Sequence, residues 1–90
     1  MKQKLFYKIH VTGLVQGVGF RWNAAKEARA RGIAGYIKNL SDGGVYIEAE
    51  GSEENLNTFV GWCKQGPGFV ESVSVDSFPP VGYVDFRVEH

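Results

Sequence analysis

The spacing of apolar residues changes along the chain from a period of two to a helical period, and this change constrains the fold more than any other feature. The alternation runs from Lys4 to Thr12 and predicts a strand whose buried face carries Leu5, Tyr7, Ile9 and Val11. From Trp22 the apolar residues recur at helical spacing, at Ala24, Ala25 and Ala28. Since each element must bury its apolar side, we expect the strand and the helix to share one core.

The first predicted helix has a recognisable end, and a hairpin follows it. Gly32 followed by Ile33 predicts a left-handed cap that ends the helix. Residues 35–40 and 44–50 are typical of two strands, and the Asp42-Gly43 pair between them is a strong hairpin signal.

The second helix and the last strands complete the order of elements. Ser52 is the predicted N-cap of this helix, whose apolar stripe is Leu56, Phe59, Val60 and Cys63. Strands are predicted at about 69–78 and 83–89. The order βαββαβ with a short final strand predicts a ferredoxin-like α+β sandwich, in which two helices cover one face of an antiparallel sheet of four to five strands.

Length and composition limit the class of protein. We expect residues 1–90 to form a single domain, because a second core would not fit in a chain of this length. No apolar run approaches the ~20 residues that span a bilayer, and the start carries no apolar signal-peptide stretch. The single cysteine excludes an internal disulfide framework and a cysteine-based zinc site. We therefore expect a cytoplasmic protein, a monomer with no membrane partner.

The charges balance overall but separate between the two halves of the chain. The net charge is zero, which argues against a nucleic-acid partner, because such binders usually show a basic excess. Residues 1–45 carry eight basic and two acidic residues, whereas residues 46–90 carry two basic and eight acidic ones. This asymmetry indicates either an anionic partner or a solvated surface without functional meaning.

A glycine-rich loop, Gly13 to Gly19, joins the first strand to the first helix. Its glycines allow successive backbone N–H groups to point into one concavity, which binds anions beside a helix N-terminus. Arg21 follows with a fork of donors that suits phosphate oxygens. The loop lacks the lysine and the hydroxyl of a nucleotide P-loop, which favours a small phosphorylated substrate. The alternative is a flexible turn with a surface arginine.

A second candidate is Asn39, at the entrance of the hairpin. Its amide offers a donor and an acceptor and can orient a water molecule, although it can equally satisfy turn backbone. Cys63 is predicted to be a core residue. His10 and His90 are isolated, so we expect no metal site. Glu48 and Glu50 are predicted to be solvated charges on the outward side of a strand.

Two motifs together resemble the acylphosphatase family. Residues 11–21, which contain Val15-Gln16-Gly17-Val18-Gly19-Phe20-Arg21, are similar to the phosphate-loop signature of that family. Residues 35–39, followed by Gly43, Val45 and Gly51, are similar to its second signature. The resemblance covers essentially the whole chain. Ile37 and the run Asn23-Ala24-Ala25 depart from the usual residues, which leaves substrate preference open rather than reaction type.

The resemblance implies metal-free hydrolysis of small acyl phosphates to a carboxylate and inorganic phosphate, without a cofactor. In that family the phosphoryl group is held by the backbone N–H groups of Gln16, Gly17, Val18, Gly19 and Phe20 and by the Arg21 guanidinium. Asn39 positions the attacking water. The alternative is a non-catalytic anion-binding or regulatory ferredoxin-like module, including one at the start of larger carbamoyl-phosphate-processing maturation proteins. A nucleic-acid role ranks third.

Overall fold

The computed structural model describes residues 3–90, which form five strands and two helices. In chain order they are β1 (Lys4–Leu14), α1 (Phe20–Ala30), β2 (Ala34–Asn39), β3 (Val45–Ser52), α2 (Glu53–Lys64), β4 (Phe69–Phe78) and β5 (Phe86–Val88). The predicted order of elements is therefore confirmed. The last strand is shorter than the predicted residues 83–89.

All five strands belong to one sheet, in the order β4-β1-β3-β2-β5. The pairs β1–β4, β1–β3 and β2–β3 are antiparallel, as expected for a ferredoxin-like α+β sandwich. Strand β5 instead pairs parallel to β2 at the edge, so the sheet is mixed. This parallel pairing requires residues 79–85 to cross from the β4 edge to the β2 edge of the sheet.

The core lies between one face of the sheet and both helices. Alternate residues of the central strands, including Ile9, Ile37 and Ile47, are fully buried against α1 and α2. Helix α1 contributes its predicted alanines, and α2 contributes Leu56, Phe59 and Cys63. Burial raises the pKa of the Cys63 thiol to about 12, which keeps it protonated as the small core residue predicted above.

The start of α2 and the end of α1 lie where the sequence predicts, whereas α1 begins at Phe20, two residues before the predicted helical period. The Ser52 hydroxyl accepts a hydrogen bond from the Asn55 backbone N–H at 3.2 Å, as an N-cap does. Helix α1 ends at the predicted cap, with the Ile33 N–H donating to the Ala28 carbonyl at 2.9 Å. Neither helix in the described part of the chain is long and apolar enough to cross a membrane.

The helix-free face of the sheet contains two carboxylates that the sequence predicted to be solvated, and this prediction was wrong. Glu50 is only 6% exposed, and its Oε1 accepts the backbone N–H groups of Val81 and Gly82 at 2.8 and 2.9 Å. The N–H of Tyr83 donates to the same oxygen at 3.4 Å. Glu50 therefore anchors the 79–85 crossover segment to the sheet.

Glu48 lies beside Glu50 on the same face and is enclosed by tyrosines. The hydroxyls of Tyr46 and Tyr83 donate to its two carboxylate oxygens, each at 2.6 Å. Burial acts to raise the pKa values of Glu48 and Glu50, but the hydrogen bonds that both receive outweigh it and lower them. Alternation alone did not predict this arrangement because the crossover segment that covers the face is distant in sequence.

Candidate active site

A bulge at the end of β1 turns the chain into the glycine-rich loop. Thr12 faces Ser72 on β4, but the next residue, Gly13, faces Val70, so the register shifts by one residue. Gly13 has a φ of 124°, and a Cβ there would collide with the Phe69 carbonyl oxygen. Only glycine allows the two strands to approach this closely where the loop begins.

The loop itself curls back on the N-terminus of α1. Gly17 and Gly19 have φ values of 74° and 82°, in the left-handed region that glycine adopts without strain. Within the described part of the chain, no group accepts a hydrogen bond from the backbone N–H groups of residues 16–19. Phe20, the first residue of α1, is 1% exposed and packs against Trp62, with ring centroids 5.5 Å apart. A buried ring thus fixes the end of a loop whose N–H groups remain free.

Gln16 ties this loop to the β2–β3 hairpin. Its Nε2 donates to the carbonyl oxygens of Leu40 and Gly44, at 2.7 and 2.9 Å. Gln16 is one of the predicted phosphate-binding residues, but its side chain is committed to the hairpin, so its backbone N–H is the group left for an anion. The two hydrogen bonds fix the loop relative to Asn39, which lies one residue before Leu40.

Arg21 occupies the first turn of α1, beside the loop. One terminal nitrogen of its guanidinium donates to the backbone carbonyl of Glu89 at 2.6 Å, just after β5. The remaining N–H groups of the fork are available to a ligand. The positive end of α1 and the guanidinium therefore lie together, which favours an anion at this place.

Asn39 is the last residue of β2 and pairs with Val45 on β3. Its side-chain Oδ1 is buried and has no hydrogen-bond partner in the structure. A buried carbonyl oxygen without a partner is costly, and most such groups in folded proteins are satisfied. This oxygen is therefore a candidate acceptor for a water molecule or a ligand.

These elements enclose one pocket of about 210 Å³. Five of the predicted site residues line it: Gly17, Gly19, Phe20, Arg21 and Asn39. Gln16 and Val18 do not, because Gln16 turns to the hairpin and Val18 is 43% exposed. Val15, the first residue of the predicted loop motif, also lines it, and three further lining residues were not predicted: Trp22, Val88 and His90. Trp22 could have been predicted as a site residue, because it directly follows Arg21 in the sequence. Val88 and His90 reach the pocket only because β5 pairs parallel to β2.

The charges of the pocket are few. Among the described residues that line it, Arg21 is the only lysine or arginine, and none has a carboxylate side chain. Among residues 3–90, no three His, Cys, Asp or Glu side chains are close enough together to hold a metal ion. The arrangement can hold an anion through backbone N–H groups and one guanidinium, with a neutral amide beside them.

Comparisons with known proteins show what the chain is similar to. The sequence model of the family described as Acylphosphatase matches residues 7–88. The chain is 44% identical over 85 residues to the acylphosphatase of Thermotoga petrophila, covering 92% of this chain and 94% of that protein. The crystal structure of acylphosphatase from Bacillus subtilis superposes with a TM-score of 0.93 at 42% identity, covering 96% and 99% of the two chains. The HypF structure of T. kodakarensis matches with a TM-score of 0.79 at 33% identity, over 100% of this chain and 12% of that one.

Proposed function

The chain belongs to the acylphosphatase family, and from this membership we propose how its pocket acts on substrate. The protein is an enzyme, an acylphosphate hydrolase. Its proposed substrates are small acyl phosphates, which it hydrolyses to a carboxylate and inorganic phosphate. Family membership favours this activity over the non-catalytic anion-binding module. The single domain, the monomeric state and the cytoplasmic location stay predictions from the sequence.

The phosphoryl group binds in the concavity of the loop. The free N–H groups of residues 16–19, together with that of Phe20 at the start of α1, donate to its oxygens. The Arg21 guanidinium adds charge-assisted hydrogen bonds from its remaining donors. Phosphoryl transfer depends mainly on positioning and on stabilising the charge of the equatorial oxygens, and these donors supply both.

The attacking water binds to Asn39. This assignment rests on one observation: Asn39 lines the same pocket as Arg21 and the loop, and its amide carries a buried oxygen that has no partner among the described residues. A water that is held by the Asn39 amide has a lone pair free to attack phosphorus. The Gln16 hydrogen bonds to Leu40 and Gly44 keep the water and the phosphoryl group in a fixed relation.

The reaction proceeds by displacement at phosphorus. The water oxygen forms a bond to phosphorus while the bond from phosphorus to the acyl oxygen breaks, and the carboxylate leaves with that electron pair. A carboxylate is a good leaving group and needs no proton. As the family resemblance implies, the proton of the water passes to a phosphoryl oxygen, and among the described residues that line the pocket no carboxylate side chain competes for it.

The experiment compares Asn39→Ala with the matched variant Asn57→Ala. Asn57 also carries an amide, but its Oδ1 accepts a hydrogen bond from the Tyr7 hydroxyl at 2.7 Å, outside the pocket. With benzoyl phosphate as substrate, we expect kcat of Asn39→Ala to fall about 10²-fold, because the water loses its position. The inhibition constant of inorganic phosphate stays within about twofold, and Asn57→Ala keeps its kcat. An Asn39→Ala enzyme with unchanged kcat would contradict the assignment.

A further inference from the structure

One wall of the pocket is apolar and exposed, and phosphate binding does not explain it. Trp22 is 70% exposed, although tryptophan has the largest side chain of all residue types. The other tryptophan, Trp62, packs against Phe20 and Phe59. Trp22 occupies the first turn of α1 directly after Arg21, and Val15 and Val88 also line the pocket. A single exposed aromatic needs no explanation in general, but here it lines the cavity that contains the guanidinium.

The acyl group of the substrate is a candidate to contact this wall. In an acyl phosphate the acyl group is bonded to the phosphoryl group through one oxygen, so it lies within a few bond lengths of the Arg21 guanidinium. The pocket volume of about 210 Å³ is smaller than the roughly 300 Å³ at which pockets for drug-sized ligands begin. A phosphoryl group and an acyl group no larger than one aromatic ring match that volume.

The charges of the pocket oppose a second anionic group on the substrate. Arg21 is the only arginine or lysine among the lining residues, and the phosphoryl group engages it. A carboxylate or second phosphate on the acyl chain would find no further lysine or arginine among the described residues that line the pocket. A charged group that loses part of its hydration against an apolar side chain, without such a partner, is destabilised relative to an uncharged one.

We propose that this site selects acyl phosphates with an uncharged, apolar acyl group, and that Trp22 is the residue that contacts this group. The inference rests on the proposed function and specifies its substrate class. It excludes as preferred substrates the acyl phosphates that carry a further carboxylate or phosphate. His90 is the one remaining lining side chain that can present a polar N–H to such a group, and the experiment includes a substrate that tests it.

The first experiment measures kcat/KM for benzoyl phosphate, acetyl phosphate and succinyl phosphate. We expect the order benzoyl, acetyl, succinyl from highest to lowest. In Trp22→Ala the ratio of benzoyl to acetyl kcat/KM falls about tenfold, the lower end of what an apolar contact contributes to substrate discrimination. Trp22→Phe retains most of the ratio. Phe69→Ala is the matched control, since Phe69 is an aromatic with 63% exposure that does not line the pocket, and it leaves the ratio unchanged.

A second measurement separates binding from the chemical step. Phenylphosphonate and methylphosphonate are tested as competitive inhibitors, and we expect phenylphosphonate to bind more tightly in the unmutated enzyme but not in Trp22→Ala. If acetyl phosphate is hydrolysed in an Arg21-dependent reaction but the ratio is the same in Trp22→Ala, the inference fails and the proposed function stands. A preference for succinyl phosphate also overturns it. If none of the three substrates is hydrolysed, the proposed function and the inference fail together.

Discussion

Glu48 and Glu50 are paired on the helix-free face of the sheet, whereas polar groups are unpaired in the pocket at the end of β1. On that face one oxygen of Glu50 accepts three backbone N–H groups, and Glu48 accepts two tyrosine hydroxyls. In the pocket and the loop that borders it, the N–H groups of residues 16–19 and the Oδ1 of Asn39 have no partner within the described residues. Both regions contain backbone N–H groups and side-chain oxygens, so the kinds of hydrogen-bonding group present do not distinguish one region from the other.

The difference between the regions is whether the protein supplies the partner. An unsatisfied polar group costs about 1–3 kcal/mol when it is buried, as the Asn39 Oδ1 is, whereas the exposed residues Gly17, Val18 and Gly19 present their N–H groups to water or to a ligand. Groups that are already paired contribute to stability instead. We therefore expect substitutions in the pocket to change turnover, and substitutions on the helix-free face to change the free energy of unfolding.

The largest expected effect is that of Arg21→Ala on turnover. We expect kcat/KM for benzoyl phosphate to fall about 10³-fold, roughly 4 kcal/mol of transition-state stabilisation, and inhibition by inorganic phosphate to disappear. The free energy of unfolding changes by less than about 0.5 kcal/mol, because the side chain is not part of the core.

Arg87→Ala is the control for that experiment. Arg87 is an exposed arginine paired with Asp85, and it does not line the pocket. Its replacement leaves kcat/KM unchanged. Equal activity losses in the two variants would indicate that overall charge, rather than the position of one guanidinium, determines the rate.

Next in size is the effect of Glu50→Ala on stability. Three N–H groups of the crossover segment lose their acceptor, so we expect the free energy of unfolding to fall by about 2–3 kcal/mol in urea denaturation. Glu50→Gln keeps an oxygen acceptor and loses less. The kcat/KM of the folded fraction remains within about twofold of the unmutated value. A large loss of turnover in folded Glu50→Ala would break the distinction between the two regions.

Gln16→Met tests whether the hydrogen bonds of the Gln16 side chain to the hairpin contribute to both stability and turnover. The methionine has a similar shape but cannot donate to Leu40 and Gly44, so we expect stability to fall by about 1–2 kcal/mol. Because the loop and Asn39 are then less well fixed, kcat falls about tenfold. The exposed Gln65 supplies the control variant Gln65→Ala. If stability falls while kcat of the folded enzyme is unchanged, Gln16 supports the fold but does not position the site.

The smallest expected effect is the dependence of stability on pH. Hydrogen bonding lowers the pKa values of Glu48 and Glu50 below the ordinary value of 4.5. Their stabilising contribution is therefore complete above about pH 4.5 and is lost as the pH falls through the lowered values. Urea midpoints measured from pH 7 to pH 2.5 should fall less steeply in Glu48→Gln than in the unmutated protein. The exposed Glu71→Gln variant should keep the original slope, and identical slopes in all three proteins would count against the role of Glu48.

Much of the fold was predictable because its signals are local. The alternation in β1, the Ser52 cap and the left-handed end of α1 each depend on neighbouring residues, and the structure has them where the sequence predicts. The burial of Glu50 was not predictable from the alternation of apolar residues. That alternation indicates the face of the sheet on which a side chain lies, but not which segment covers the face. Its partners are 31 to 33 residues away in the chain.

The candidate site likewise contains some features that are predictable from local sequence and others that depend on tertiary contacts. The sequence by itself determined the glycine loop, with Arg21 in the helix turn after it and Asn39 near a hairpin, because turn geometry and helix starts depend on short runs of residues. Only the tertiary structure decided that Gln16 binds the hairpin and that β5 brings Val88 and His90 to the same pocket. The physical reason is that these contacts join residues far apart in sequence, and sheet pairing, rather than local propensity, sets which of them meet.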